Sequence, residues 1–243
     1  MRSLSDSDLL DIWERTLDQK PAQIGLSILL ATSPDVSYDV LSHISIGERD
    51  RLLLHLREVI FGSCITGLTR CPECGELLEV TLDVMDIRTE LKEAEEGLQL
   101  VSEGYEIRFR LPNCADLKAI SLCKDPSEAR HLILGRCIQG VLYMGSDASL
   151  EDIPERLLDG IEVRMASADP QADVLIRAAC ASCKHEWDVI FDISSFLSRE
   201  IDSWARRTLQ DVHNLAAAYG WSEKSILGMS SWRRNCYLDM VNR

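Results

Sequence analysis

Cys71-Pro72-Glu73-Cys74-Gly75 and, about a hundred residues later, Cys180-Ala181-Ser182-Cys183-Lys184 decide how this chain is organised. Each CxxC lies between segments that read as strands. The first has Cys64 to Arg70 before it and Leu77 to Val84 after it; the second has Val174 to Ala179 and Trp187 to Ile193. A tight turn between two strands presents two thiolates, and two such turns face to face supply four soft ligands in tetrahedral geometry, the donor set of a closed structural zinc site. Cys71, Cys74, Cys180 and Cys183 are therefore the candidate ligands of one Zn2+. A redox pair or disulfide is the weaker reading, because neither CxxC opens a helix after a βαβ-type strand. His185 and Cys64 stand beside the motifs as further candidate ligands.

The spacing exceeds that of a continuous zinc ribbon, so the ribbon must be split by an insertion. The fold class that follows is α+β: a split zinc-ribbon β core with helical N-terminal, insertion and C-terminal segments. The divisions are a helical N-terminal region over 1–62, the split ribbon over 63–193 with a helical insertion at about 112–168, and a helical C-terminal region over 194–243.

In the first region Ser5 or Ser7 caps a helix with Leu9, Ile12, Trp13 and Leu17 on one face. Pro21 opens a second helix, to Ala31. Ser45 and Glu48 fit a capping box ahead of a stripe of Leu52, Leu56, Val59 and Ile60, with Arg49, Arg51 and Arg57 on other faces. An acidic connector spans Asp86 to Leu98. Tyr105, Ile107, Phe109 and Leu111 alternate as a half-buried strand. From 115 to 165 the reading is helical, with one helix opening at Asp125 to Ser127 and carrying Leu132, Ile133, Cys137 and Val141, and a second starting at Pro154. Asp169-Pro170 reads as a turn. After Ile193, Phe196, Leu197, Ile201, Trp204, Leu209, Val212, Leu215 and Ala216 follow a helical period that Gly220 stops.

Of the 243 residues, 46% are hydrophobic, which supports a packed core, and the net charge of −14 opposes a nucleic-acid role, since phosphate binding needs cations gathered on one face. No apolar run has membrane length, and Met1 to Asp8 lacks a hydrophobic signal region, so a cytoplasmic location, or carriage in a particle, is expected. Nine cysteines in such a setting favour metal over a disulfide framework. Phosphate-loop, HExxH, GxSxG and GxGxxG motifs are absent, and the five histidines are scattered, so the chain reads as non-enzymatic, with no small-molecule substrate.

Three further stretches carry a resemblance. They are Ile46-Gly47-Glu48-Arg49-Asp50-Arg51-Leu52 running to Phe61-Gly62 and the first knuckle, Asp169-Pro170 with the second knuckle, Trp187 and Phe191-Asp192-Ile193, and Val212-His213-Asn214 followed by Tyr219-Gly220-Trp221-Ser222 and Arg233-Arg234. Together they resemble a zinc-knuckle family associated with phage-tail-like contractile injection systems, and the tail is similar to phage tail and baseplate assembly chaperones. The resemblance implies an assembly factor or minor baseplate component whose partners are tail and baseplate proteins. The alternative is a zinc-ribbon regulator of nucleic acid or the transcription machinery; a metal-dependent enzyme is a third reading. The tail combines Trp221, Trp232 and Tyr237 with Arg233 and Arg234, residue types that anchor interfaces, and these five are the candidate partner-binding residues. The competing reading is that the tryptophans pack the tail onto the body. Because the two knuckles close a loop of about a hundred residues, loss of the metal is expected to destabilise more than the ribbon.

Overall fold

The computed structural model describes residues 4–19, 21–89 and 97–241. The architecture is mixed, helices with small antiparallel sheets, as an α+β reading requires. Two compact units divide the chain: residues 1–36 with 194–243, and residues 37–193. The helical region 1–62 is thus shared between them.

In the first unit, α1 (Asp6–Thr16) is closed by a capping box in which Ser5, rather than Ser7, accepts from the Asp8 N–H and the Asp8 carboxylate returns to the Ser5 N–H. Leu9, Leu10, Ile12 and Thr16 are buried, whereas Leu17 is exposed. Trp13 is half-buried and donates its indole N–H to Asp202 at 2.9 Å. After α2 (Pro21–Thr32) the unit continues with the long helix α9 (Ile193–Tyr219). Its inner edge is Leu197, Ile201, Ala205, Thr208, Val212 and Leu215, steps of three and four that hold one face of a helix. Leu209, expected inside, lies one step off this edge and is exposed. The short α10 (Glu223–Leu227), capped by Ser222, and α11 (Ser231–Val241) complete the unit around Val212, Leu215, Ile226 and Leu238.

The second unit begins with α3 (Tyr38–His43) and α4 (Ile46–Phe61). Ser45 caps α4 by accepting from the Glu48 N–H, and Gly62, in the left-handed region at φ 87°, ends it. The buried face differs from the expected stripe. Leu53, Leu54 and Leu56 are inside while Val59 is exposed, and Arg49 and Arg57, expected on outer faces, are both buried. They can be inside because each finds a partner: Arg49 pairs with Asp50 at 2.6 Å and Arg57 donates to the Gly62 carbonyl at 2.7 Å.

The first hairpin follows, β1 (Cys64–Arg70) with β2 (Leu77–Asp83), then the single turn α5 (Val84–Ile87). The central part of the acidic connector, residues 90–96, lies outside the described residues. Beyond it stands a four-stranded antiparallel sheet in chain order: β3 (Gln99–Ser102), β4 (Tyr105–Phe109), β5 (Ile138–Tyr143) and β6 (Ser146–Asp147). The insertion is therefore not wholly helical. Helix α6 (Cys114–Ile120) is followed by α7 (Pro126–Cys137), which stops where Ile138-Gln139-Gly140-Val141 begins, and Val141 lies on β5 rather than on a helix. Glu103-Gly104 and Met144-Gly145 have positive φ at both positions, the two-residue hairpin turn whose twist suits right-handed strands. Helix α8 (Glu155–Ala168) covers this sheet, burying Leu157, Leu158, Ile161 and Met165 with Ile107, Phe109, Leu134 and Val141.

A 3-10 turn, Pro170–Ala172, leads from α8 into the second hairpin, β7 (Leu175–Ala179) with β8 (Glu186–Ile190). The Asp169 carboxylate accepts from the Gly47 N–H at 2.9 Å, at the start of α4. Gln171 is buried; its carbonyl oxygen accepts from the Thr89 N–H and hydroxyl, and its amide donates to the Ile87 carbonyl. These contacts bring the root of the second hairpin to α4 and to the exit of the first. A Cβ added at Gly47 would stand 1.9 Å from an Asp169 carboxylate oxygen. Gly47→Ala should therefore expel that carboxylate and cost about 2 kcal/mol, read as a lower denaturation midpoint. A midpoint equal to that of the unaltered chain would remove this contact from the account.

Candidate metal centre

Both knuckles have the same backbone. In the first, the Gly75 N–H donates to the Cys71 carbonyl at 2.9 Å and the Cys71 N–H to the Glu76 carbonyl at 2.9 Å. In the second, the Lys184 N–H donates to Cys180 at 2.9 Å and the Cys180 N–H to His185 at 2.8 Å. Each turn ends on a residue in the left-handed region, Gly75 at φ 74° and Lys184 at φ 64°. Glycine takes that conformation freely, whereas Lys184 adopts it at some cost. The hairpins then aim four sulfurs at one point. Cys71 and Cys183 lie 3.6 Å apart, as do Cys74 and Cys180, and all four ligand atoms fall within 4.8 Å of one another.

A disulfide would need about 2.05 Å between sulfurs, and all nine cysteines are free. A metal held at about 2.3 Å from each sulfur would space tetrahedral ligands about 3.8 Å apart, close to what is seen. Cys71 and Cys180 are buried while Cys74 and Cys183 are exposed, so the cage has an inner and an outer side. Proton affinities diverge through hydrogen bonding, against the order that burial alone would set. Cys180 receives the Cys183 and Ser182 backbone N–H groups, which outweigh burial and draw its thiol down to about 7. At Cys74 the Glu76 N–H pulls downward, but hydrogen bonds with Cys183, Cys180 and Cys71, together with the partial loss of water beside them, push the thiol up to about 12. Four thiolates cannot gather at this spacing without a cation among them, and a divalent metal would let all four ionise.

Among the described residues these four cysteines are the only cluster able to hold a metal. His185 is outside it; its ring stacks on Trp187 with centroids 5.8 Å apart. Cys64 is outside too, opposite Asp83 at the end of the hairpin away from the knuckle. Asp188 pairs with Arg177 on the exposed face of the second hairpin.

The tail residues separate. Trp221 is half-buried, stacked on Tyr219 at 4.5 Å and edge-on to Tyr237 at 4.8 Å, so both rings pack the tail internally. Arg234, expected at a partner surface, is 4% exposed and pairs with Asp6 at 2.7 Å within the same unit. Trp232, 78% exposed, and Arg233 remain on the surface.

Two buried polar clusters of the second unit were not singled out by the motif reading. Asp50 is buried beside Arg49, Asp169 and Asp192; burial outweighs the Arg49 attraction and raises its carboxyl to about 6. Asp116, fully buried, accepts two bonds from Arg110, one from Arg136 and one from the Asn113 N–H. The signal for the latter was present: Asn113-Cys114-Ala115-Asp116 has capping-box spacing, and Asn113 and Asp116 do cap α6 reciprocally.

A protein-family model described as T4 bacteriophage base plate protein matches residues 27–198, a span that includes both knuckles and ends before the aromatic tail. No curated protein and no solved structure matches the chain.

Proposed function

The chain belongs to the T4 bacteriophage base plate protein family, and from that membership we propose that it is a non-enzymatic, zinc-stabilised assembly factor or minor component of the baseplate of a contractile, phage-tail-like particle. The observation that carries this reading is the extent of the match, which takes in the whole split ribbon rather than one motif. Zinc is the metal proposed for Cys71, Cys74, Cys180 and Cys183, because four thiolates at tetrahedral spacing suit an ion without geometric preference. With all four positions taken by sulfur, no ligand site is left open for a substrate, which supports a structural centre. The proposed partners are tail and baseplate proteins, met through protein surfaces. The described helices include none long and apolar enough to cross a membrane.

Deleting the coding sequence in a host that makes such particles should leave tube and sheath proteins produced but baseplates incomplete, as seen by electron microscopy. Mass spectrometry of purified wild-type particles then separates a resident component from a factor that departs. Normal, infective or contractile particles from the deletion strain would refute the proposal.

A further inference from the structure

The outward side of α11 carries an unusual ordering of side chains. Arg234 and Leu238 are buried and fix the inner edge of the helix. At 100° per residue the opposite side is centred on Cys236. Trp232 and Met240 flank it one turn away in each direction, 78% and 61% exposed, and Cys236 between them is half-buried. Outside that apolar row lie Arg233 and Asp239, both exposed, neither with an ion-pair partner among the described residues. Read from either end, the face runs apolar, charged, cysteine, charged, apolar, and the two charges have opposite sign.

We propose that this face docks against the same face of a second copy, the two α11 helices running antiparallel about a two-fold axis at Cys236. An isologous contact requires a surface complementary to itself, and this one is. Antiparallel pairing sets Trp232 on the partner's Met240 and Arg233 beside the partner's Asp239, each contact made twice, with the two Cys236 thiols meeting at the axis. A parallel pairing would instead oppose like charges. The unit that carries α11 suits self-contact as well: by sequence, residues 1–36 and 194–243 hold 11 acidic and 10 basic residues, whereas residues 37–193 hold 29 and 16, so the repulsion between copies resides mainly in the other unit. Two tryptophans and two methionines would bury roughly 600 Å², below a standard interface, so the dimer is a weak one with micromolar dissociation. The inference goes beyond the baseplate reading and does not depend on it.

Sedimentation velocity of the full, zinc-loaded chain across the micromolar range should show concentration-dependent dimers. Trp232→Ala should weaken them by about tenfold or more. Arg233→Glu and Asp239→Arg should each weaken them about tenfold by creating two like-charge pairs, and the double variant should restore affinity to within about threefold. Treatment with diamide, which takes two protons and two electrons from a thiol pair to form one disulfide, should trap a dimer that Cys236→Ser lacks. Circular dichroism checks that each variant is folded. A chain that stays monomeric throughout the range leaves the face to some other protein and overturns the proposal. So does a double variant no better than the single ones, or a diamide-linked dimer that persists in Cys236→Ser.

Discussion

Cys180→Ser should lose stoichiometric zinc and lower the melting temperature by roughly 10–20 °C. Closing a loop of about a hundred residues restrains the unfolded chain by about 4–5 kcal/mol in the entropic account of cross-links, and for a unit of this size each kcal/mol moves the midpoint by about 2–4 °C. The proposed zinc would not be alone in closing that loop. Asp169 on the Gly47 N–H, and Gln171 on Thr89 and Ile87, join the same two chain segments at the other end of the hairpins. Such hydrogen bonds contribute about 1 kcal/mol each net, so they hold the hairpin roots while the knuckles loosen, but do not replace the metal. The expected product is therefore a destabilised, still cooperative protein rather than an unfolded one. Cys183→Ser should be milder, because Cys183 is exposed and water can reach the position it leaves, whereas Cys180 is buried. Metal analysis and thermal melts on both variants decide the matter. Full zinc content in Cys180→Ser, or an unchanged melting temperature, would mean that the four sulfurs do not form one centre.

The hairpins were readable because their signal is local: a CxxC needs only its own turn and flanking strands, and both strand pairs formed within a few residues of the expected limits. That the knuckles meet followed from valence, since a pair of thiols is half a tetrahedral site. The insertion was less readable. Ile138 to Val141 follows a capped helix with continuing apolar spacing, and only the Met144-Gly145 turn and the β4 partner pull it into a sheet, a tertiary choice that periodicity does not register. Buried charge was the least accessible. Arg49, Arg57 and Arg234 look like surface residues by type, and each is inside because a specific acceptor is there: Asp50, the Gly62 carbonyl and Asp6. Composition suggests solvent for an arginine; only the fold supplies its partner.

Asp116→Ala should cost about 3 kcal/mol, the largest effect expected of any single polar side chain in the insertion. The carboxylate is fully buried and holds Arg110 in a two-bond fork, at 2.6 and 3.0 Å, while Arg136 approaches at 2.8 Å. Removing one side of a buried ion pair leaves charge without compensation, at about 3–5 kcal/mol; the lower figure applies because Arg110 and Arg136 keep partial access to water. The effect should also depend on pH. Burial alone would raise this carboxyl, but the bonds from Arg110, the Asn113 N–H and Arg136 outweigh it and hold it at about 2, against an ordinary 3.8. A carboxyl depressed in the folded state stabilises fully above its unfolded pKa and loses that contribution as pH falls through the folded value, here about 2 kcal/mol between pH 5 and pH 2. Asp50 acts oppositely. Raised to about 6, it favours the protonated folded form, so its contribution weakens as pH rises from about 4 to 6. Urea denaturation of the unaltered chain and of Asp116→Asn should thus differ by a constant amount above pH 5, with the gap narrowing towards pH 2. The Asp50 trend should be common to both proteins and cancel in the comparison. A gap that stays constant down to pH 2.5 would show that Asp116 is not held by its arginines as a buried anion.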